Sequence, residues 1–101
     1  IFYRKKKRLY VIADNVSGLN VKDAVIIKGM KVGHVKDISF IEDSSARLVV
    51  LLKIDKEINI PKGSSAKISI SENSNSRYIE IITVGSDIFF NDNDTLNFIK
   101  G

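Results

Sequence analysis

A chain of 101 residues, 44% hydrophobic and 28% charged, is sized for one domain with a single modest core and excludes two independent ones. It has no cysteine, so neither a disulfide framework nor a thiolate metal site is available, and it has no run of about 18 apolar residues that would span a bilayer as a helix. The net charge of +4 points to an anionic partner only until it is located: five of the 16 basic residues form the block Arg4-Lys5-Lys6-Lys7-Arg8, and the remainder is close to neutral. A nucleic-acid-binding face spreads its cations and interleaves them with aromatics that stack on bases, which this block does not do.

The chain opens with Ile1-Phe2-Tyr3 directly ahead of the basic block, the pattern of a membrane helix end with its headgroup-level flank. Residues 1–8 are therefore read as a basic juxtamembrane segment or tail, and residues 9–101 as the folded domain. Against this, basic flanks mostly mark the cytoplasmic side, and a solvated charged tail is the plain alternative. Leu9 to Ala13 is an apolar run of strand length ended by the turn-forming pair Asp14-Asn15. The polar connection Val16 to Asp23 follows, with Val16, Leu19 and Val21 expected under a barrel rim. Ala24 to Lys28 and Met30 to Phe40 read as a hairpin pair around Gly29, the longer strand bending at Gly33.

Arg47 to Ile54 is apolar at nearly every position, a pattern that predicts cover on both faces. With no helix in the chain to supply that cover, Leu48, Val50 and Leu52 become candidates for a subunit interface. Ile60-Pro61-Lys62-Gly63 is a turn, and Ala66, Ile68 and Ile70 then alternate with polar residues as a half-buried strand. After the polar loop Ser71 to Ser76, Arg77 to Val84 is a strand with Ile79 and Ile81 on one face. Thr95 to Ile99 closes the chain. The expectation is all-β: a small barrel of seven strands without substantial helix.

Little in the sequence carries chemistry. His34 is a lone imidazole in a strand, without a partner for acid–base work. Asp92-Asn93-Asp94 is an acidic turn that lacks the ligand count of a calcium loop, and the Ser-rich runs lack a base. The expected protein is not an enzyme and takes no cofactor.

The spacing of Gly18-Leu19, Val25, Gly29, Val32-Gly33, Val35 and Ile38, followed by Ile60-Pro61-Lys62-Gly63 and Arg77-Tyr78-Ile79-Glu80-Ile81, resembles the mammalian cell entry (MCE) domain of MlaD-type substrate-binding subunits of bacterial lipid ABC transporters. The resemblance runs from about Leu9 to the end. It implies a seven-stranded barrel on the periplasmic side of the inner membrane, anchored by an N-terminal segment upstream of this sequence. It further implies a homohexameric ring, working with permease and ATPase subunits, that passes phospholipid or another hydrophobic cargo through a central pore. The pore loop of the family maps onto Glu72, Asn73, Ser74, Asn75 and Ser76, next to Arg77 and Tyr78. Here that loop is polar where an apolar segment is usual. The family's structural turns map onto Gly18, Leu19, Gly29, Val32, Gly33, Pro61 and Gly63, and Arg4 to Arg8 become membrane-proximal. The competing reading is a monomeric β-barrel of the OB type that binds nucleic acid, or another anionic partner, through the basic block.

Overall fold

The computed structural model describes residues 5–42 and 45–100. They form seven strands and no helix: β1 (Lys6–Ala13), β2 (Ala24–Ile27), β3 (Met30–Phe40), β4 (Leu48–Asp55), β5 (Ser65–Ile70), β6 (Arg77–Ile82) and β7 (Asp94–Phe98). The strands close into a barrel in the order β1-β4-β3-β2-β6-β5-β7. Local hairpins supply the antiparallel pairs β2–β3, β3–β4 and β5–β6, and β1 pairs antiparallel with β4. Three parallel pairings, β1–β7, β2–β6 and β5–β7, complete the circle. Closure removes the free strand edges along which small β-domains aggregate.

β1 begins at Lys6, three residues earlier than its apolar run, because Lys6, Lys7 and Arg8 continue the ladder against Asp55, Ile54 and Lys53. Strand alternation points Leu9, Val11, Val25, Val35, Val50, Leu52, Ile54, Ala66, Ile79, Ile81 and Leu96 inward, where all are essentially inaccessible. At about 1.5–3 kcal/mol for each fully buried large aliphatic side chain, this filled interior is the main source of stability. The interior is packed by side chains and is not a channel.

The eleven-residue β3 reaches both neighbours because two irregularities bend it, one opposite Val25 and Ile26 and one at Lys36. Gly33 lies between these bends, paired with Val25 on one side and Ile54 on the other. A Cβ there would stand 2.0 Å from the Lys53 carbonyl oxygen, so the strands approach too closely for any other residue. Gly29 serves differently: with φ of 85° it makes the turn from β2 to β3 and has open space around it.

β4 corrects the expectation of two covered faces. Its burial alternates, with Val50, Leu52 and Ile54 in the core and Val49, Leu51 and Lys53 half-exposed on the outside. In the polar connection, Leu19 is in the core with Val16 packed against it, whereas Val21 faces solvent.

Candidate functional site

The strand directions define two ends. The lower end holds the start of β1, the β2–β3 turn and the connections 56–64 and 83–93. The upper end holds the connection 14–23, the β3–β4 loop, the loop 71–76 and the residues after β7.

At the upper end the loop expected to face the cargo is the tip of the β5–β6 hairpin. The Ser71 amide donates to the Ser76 carbonyl at 2.9 Å, the Ser76 amide donates to Ser74 Oγ, and Arg77 Nη1 donates to the Asn75 carbonyl at 2.8 Å. Glu72 to Ser76 are all exposed. Arg77 is occupied inside the protein as well, since its side chain lies across Gly18, where a Cβ would sit 2.7 Å from Nε. Tyr78 is opposite Ser69 on the outer side of the sheet. Loop and strand thus come together as expected, but Arg77 braces the loop and does not project from it.

The apolar surface at this end includes Ile70, which alternation along β5 places on the inward side, and Phe40 at the end of β3. Ala66, Ile68 and Ile70 share one side of β5, yet only Ala66 is buried. Ile68 is half-buried, and Ile70 is 57% exposed because it stands above the last core layer. Phe40, in the same inward row as Leu48 and Ala13, is 62% exposed for the same reason. Ile68 and Phe98 also line an open depression of about 510 Å³ with Asp14, Asn15, Ser17 and Lys100. Lys100 closes one side of it through an ion pair with Asp14 at 3.5 Å. The signal for Ile70 was available in the sequence: it is the last residue before a fully polar loop, so nothing follows to cover it.

Of the subunit-interface candidates, Val50 and Leu52 are corrected. They are fully buried inside one copy and present no surface to a second. Leu48 is half-buried at the upper rim. The outer side of the same wall carries Tyr10 opposite Leu51 and Ile12 opposite Val49, a half-buried apolar patch that the unbroken apolar run had obscured.

The basic block lies at the lower end. Arg4 is outside the described residues and Lys5 is exposed. Lys6 pairs with Asp55, and Arg8 with Asp92, whose Oδ1 also accepts the Arg8 amide at 2.7 Å. Lys7 points inward and donates to the Ile58 carbonyl at the mouth of the barrel. Burial holds its ammonium below the ordinary lysine value, against the pull of Asp92 and Glu57. Asp92 and Asp94 are engaged with backbone amides, Asp94 accepting from Asn91 at 2.7 Å and pairing with Lys62, so the acidic turn acts as a chain reversal. Among the described residues no three His, Asp or Glu side chains gather as a metal site.

The MlaD protein family matches residues 5–84. The chain belongs to the MlaD family. The fold agrees: a chain of the Acinetobacter MlaFEDB complex, solved in an ATP-bound conformation, superposes with a TM-score of 0.87 at 13% identity, covering 100% of this chain and 78% of that one. Among curated proteins none matches this sequence. As a member of the MlaD family the chain has an MCE-type barrel, and Gly18-Leu19, Gly29, Val32-Gly33, Pro61 and Gly63 fall at its turns and close approaches.

Proposed function

We propose that this chain is the lipid-handling subunit of an ABC-type phospholipid transport system. In this reading it is held at the inner membrane by an N-terminal anchor, with the barrel in the periplasm. Six copies form a ring around a central passage, and permease and ATPase subunits supply the work. Family membership carries the reading, and the structurally similar chain is itself part of a multi-protein complex captured with ATP. The protein needs no catalytic group for this task. A lipid tail of sixteen methylenes left in water costs roughly 13 kcal/mol, at about 0.8 kcal/mol each, so an apolar path removes most of the barrier to crossing an aqueous space.

The filled interior means that cargo travels outside the barrel, between or beside copies. Ile70 and Phe40 provide the apolar contact at the upper end, with the polar loop Glu72 to Ser76 as its wet margin. Tyr10, Ile12, Val49 and Leu51 provide the face between copies, in place of Val50 and Leu52. The nucleic-acid alternative loses its ligand, because Lys7 is inside the barrel and Lys6 and Arg8 are paired.

Light scattering on the membrane-anchored form tests the assembly. The expected mass is six copies, and Val49→Lys with Leu51→Lys lowers it to one copy while the fold is kept. A single-copy mass for the unmodified anchored form at every concentration contradicts the ring.

A further inference from the structure

The outer surface of the wall built from β1, β4 and β3 carries lysines, Lys31, Lys36 and Lys53, that the folded barrel does not pair among the described residues. Register places Arg8 opposite Lys53, and Lys53 opposite His34. Their inward neighbours Leu9, Leu52 and Val35 fill the core, so this row points outward. Like charges directly opposite one another across an antiparallel pair are destabilising.

Of this row, Arg8 is paired with Asp92 and Lys53 is left unpaired among the described residues. The His34 imidazole is held below its ordinary value first by burial and then by Lys6, Lys31, Lys36 and Lys53, all of them cations. The nearby carboxylates Asp55 and Asp92 are engaged by Lys6 and Arg8. Asp37 is opposite Leu51, two pairs further up the sheet, and Asp23 accepts the Asn20 amide. Among the described residues, Lys31, Lys36 and Lys53 make no ion pair.

A second observation gives the partner its character. The β2–β3 hairpin runs three residues past Gly33, the last β3 residue paired with β4, and its tip is Lys28-Gly29-Met30-Lys31. Met30 is 72% exposed between two exposed lysines. An apolar tip flanked by ammonium groups suits a bilayer surface: the thioether enters the headgroup boundary while the lysines meet phosphates. An acidic protein surface would use the cations and leave Met30 without a role. Met30 to His34 is four residues of strand, about 13 Å, so a barrel tilted onto this lower corner brings the tip and Lys53 within about a Debye length, 8 Å, of one plane.

We propose that the Lys28–Lys31 tip, with the unpaired Lys53 and Lys36 beside it, is a docking face for an anionic lipid bilayer. This goes beyond the transport reading and does not depend on it, because the lipid path proposed above lies at the opposite end of the barrel and the face between copies, Tyr10, Ile12, Val49 and Leu51, lies above Lys53 on the wall.

Cosedimentation of the 101-residue chain, a closed barrel with its own core, tests the proposal. The vesicles are phosphatidylcholine alone, or phosphatidylcholine with one-third phosphatidylglycerol, at low and physiological salt. The expected result is binding to the anionic vesicles that weakens with salt, and little binding to the neutral ones. At roughly fivefold per lysine, Lys31→Gln with Lys53→Gln lowers the partition coefficient about 25-fold. Met30→Ser lowers it less, and Lys100→Gln at the other end leaves it unchanged. Circular dichroism confirms that each variant is folded. Equal binding to both vesicle types, or an unchanged double variant, overturns the proposal. Absence of binding at low salt also overturns it.

Discussion

The two ends of this barrel are made by the same strands with the same alternation, yet one is closed and the other open. At the lower end, long connections fold back. Ile60 is fully buried, Pro61 bridges to Phe89, Phe90 is held by its amide to the Ile60 carbonyl at 2.9 Å, and Lys7 plugs the mouth. At the upper end the inward rows run past the core, leaving Phe40 exposed at the end of β3 and Ile70 exposed next to a hairpin loop that satisfies its own backbone. Closure of an end is therefore decided by the connections and not by the strands. The open end exposes apolar side chains of its strands, Phe40 and Ile70, whereas the closed end exposes those of its turns and connections, Met30, Ile88 and Phe89.

Substitutions can break or sharpen this contrast. The largest effect is expected at the wall common to both ends. Gly33→Ala drives a Cβ into the Lys53 carbonyl, and the atoms it meets, Lys53 O and C and Ile54 Cα, are β4 backbone that cannot swing aside. Chemical denaturation is expected to show a loss of about 3 kcal/mol or more, the upper range for overpacking. A change within experimental error would mean that the strands do not meet as described.

Next comes a pair on the inward side of the β5–β6 hairpin, at different heights. Ile81→Ala, deep in the barrel, is expected to cost about 2–5 kcal/mol, whereas Ile70→Ala is expected to cost under about 0.5 kcal/mol. Equal losses would erase the difference between the ends.

A pH series probes the plug. Because burial lowers the Lys7 value in the folded chain, the unfolded chain holds that proton more tightly, and the buried charge weighs against folding at neutral pH. The cost is relieved as pH climbs through the lowered folded value towards the ordinary 10.5. Wild-type stability, followed by urea unfolding, should gain across that alkaline window relative to Lys7→Met, in which the relief is absent. Parallel pH profiles would place Lys7 in solvent. The smallest effect belongs to the loop: Asn73→Ala and Ser76→Ala are expected to change stability by less than about 0.5 kcal/mol.

How much of this was legible follows from what local sequence encodes. All seven strands, the Gly29 turn and the close approach at Gly33 are written in short-range patterns of β-branched residues and glycines. The circular order is not, because three of its seven pairings join parallel strands distant in the chain, and no turn residue marks them. The run Arg47 to Ile54 misled for a related reason. Hydrophobicity on both faces of β4 says that both avoid water, but only the alternation of its neighbours decides which face is the core. Lys7 was read with the charges around it because composition cannot show that a lysine sits in an inward register. Ile70 was read as interior because alternation gives the face of a residue and not its height above the core.

The most direct test of the proposed lipid path places a photoreactive phenylalanine analogue at position 70 and, for comparison, at position 97 on the outer side of β7, in cells carrying the complete transport system. The account predicts phospholipid captured at position 70 and not at position 97. Equal capture at both positions, or capture at neither, would contradict it.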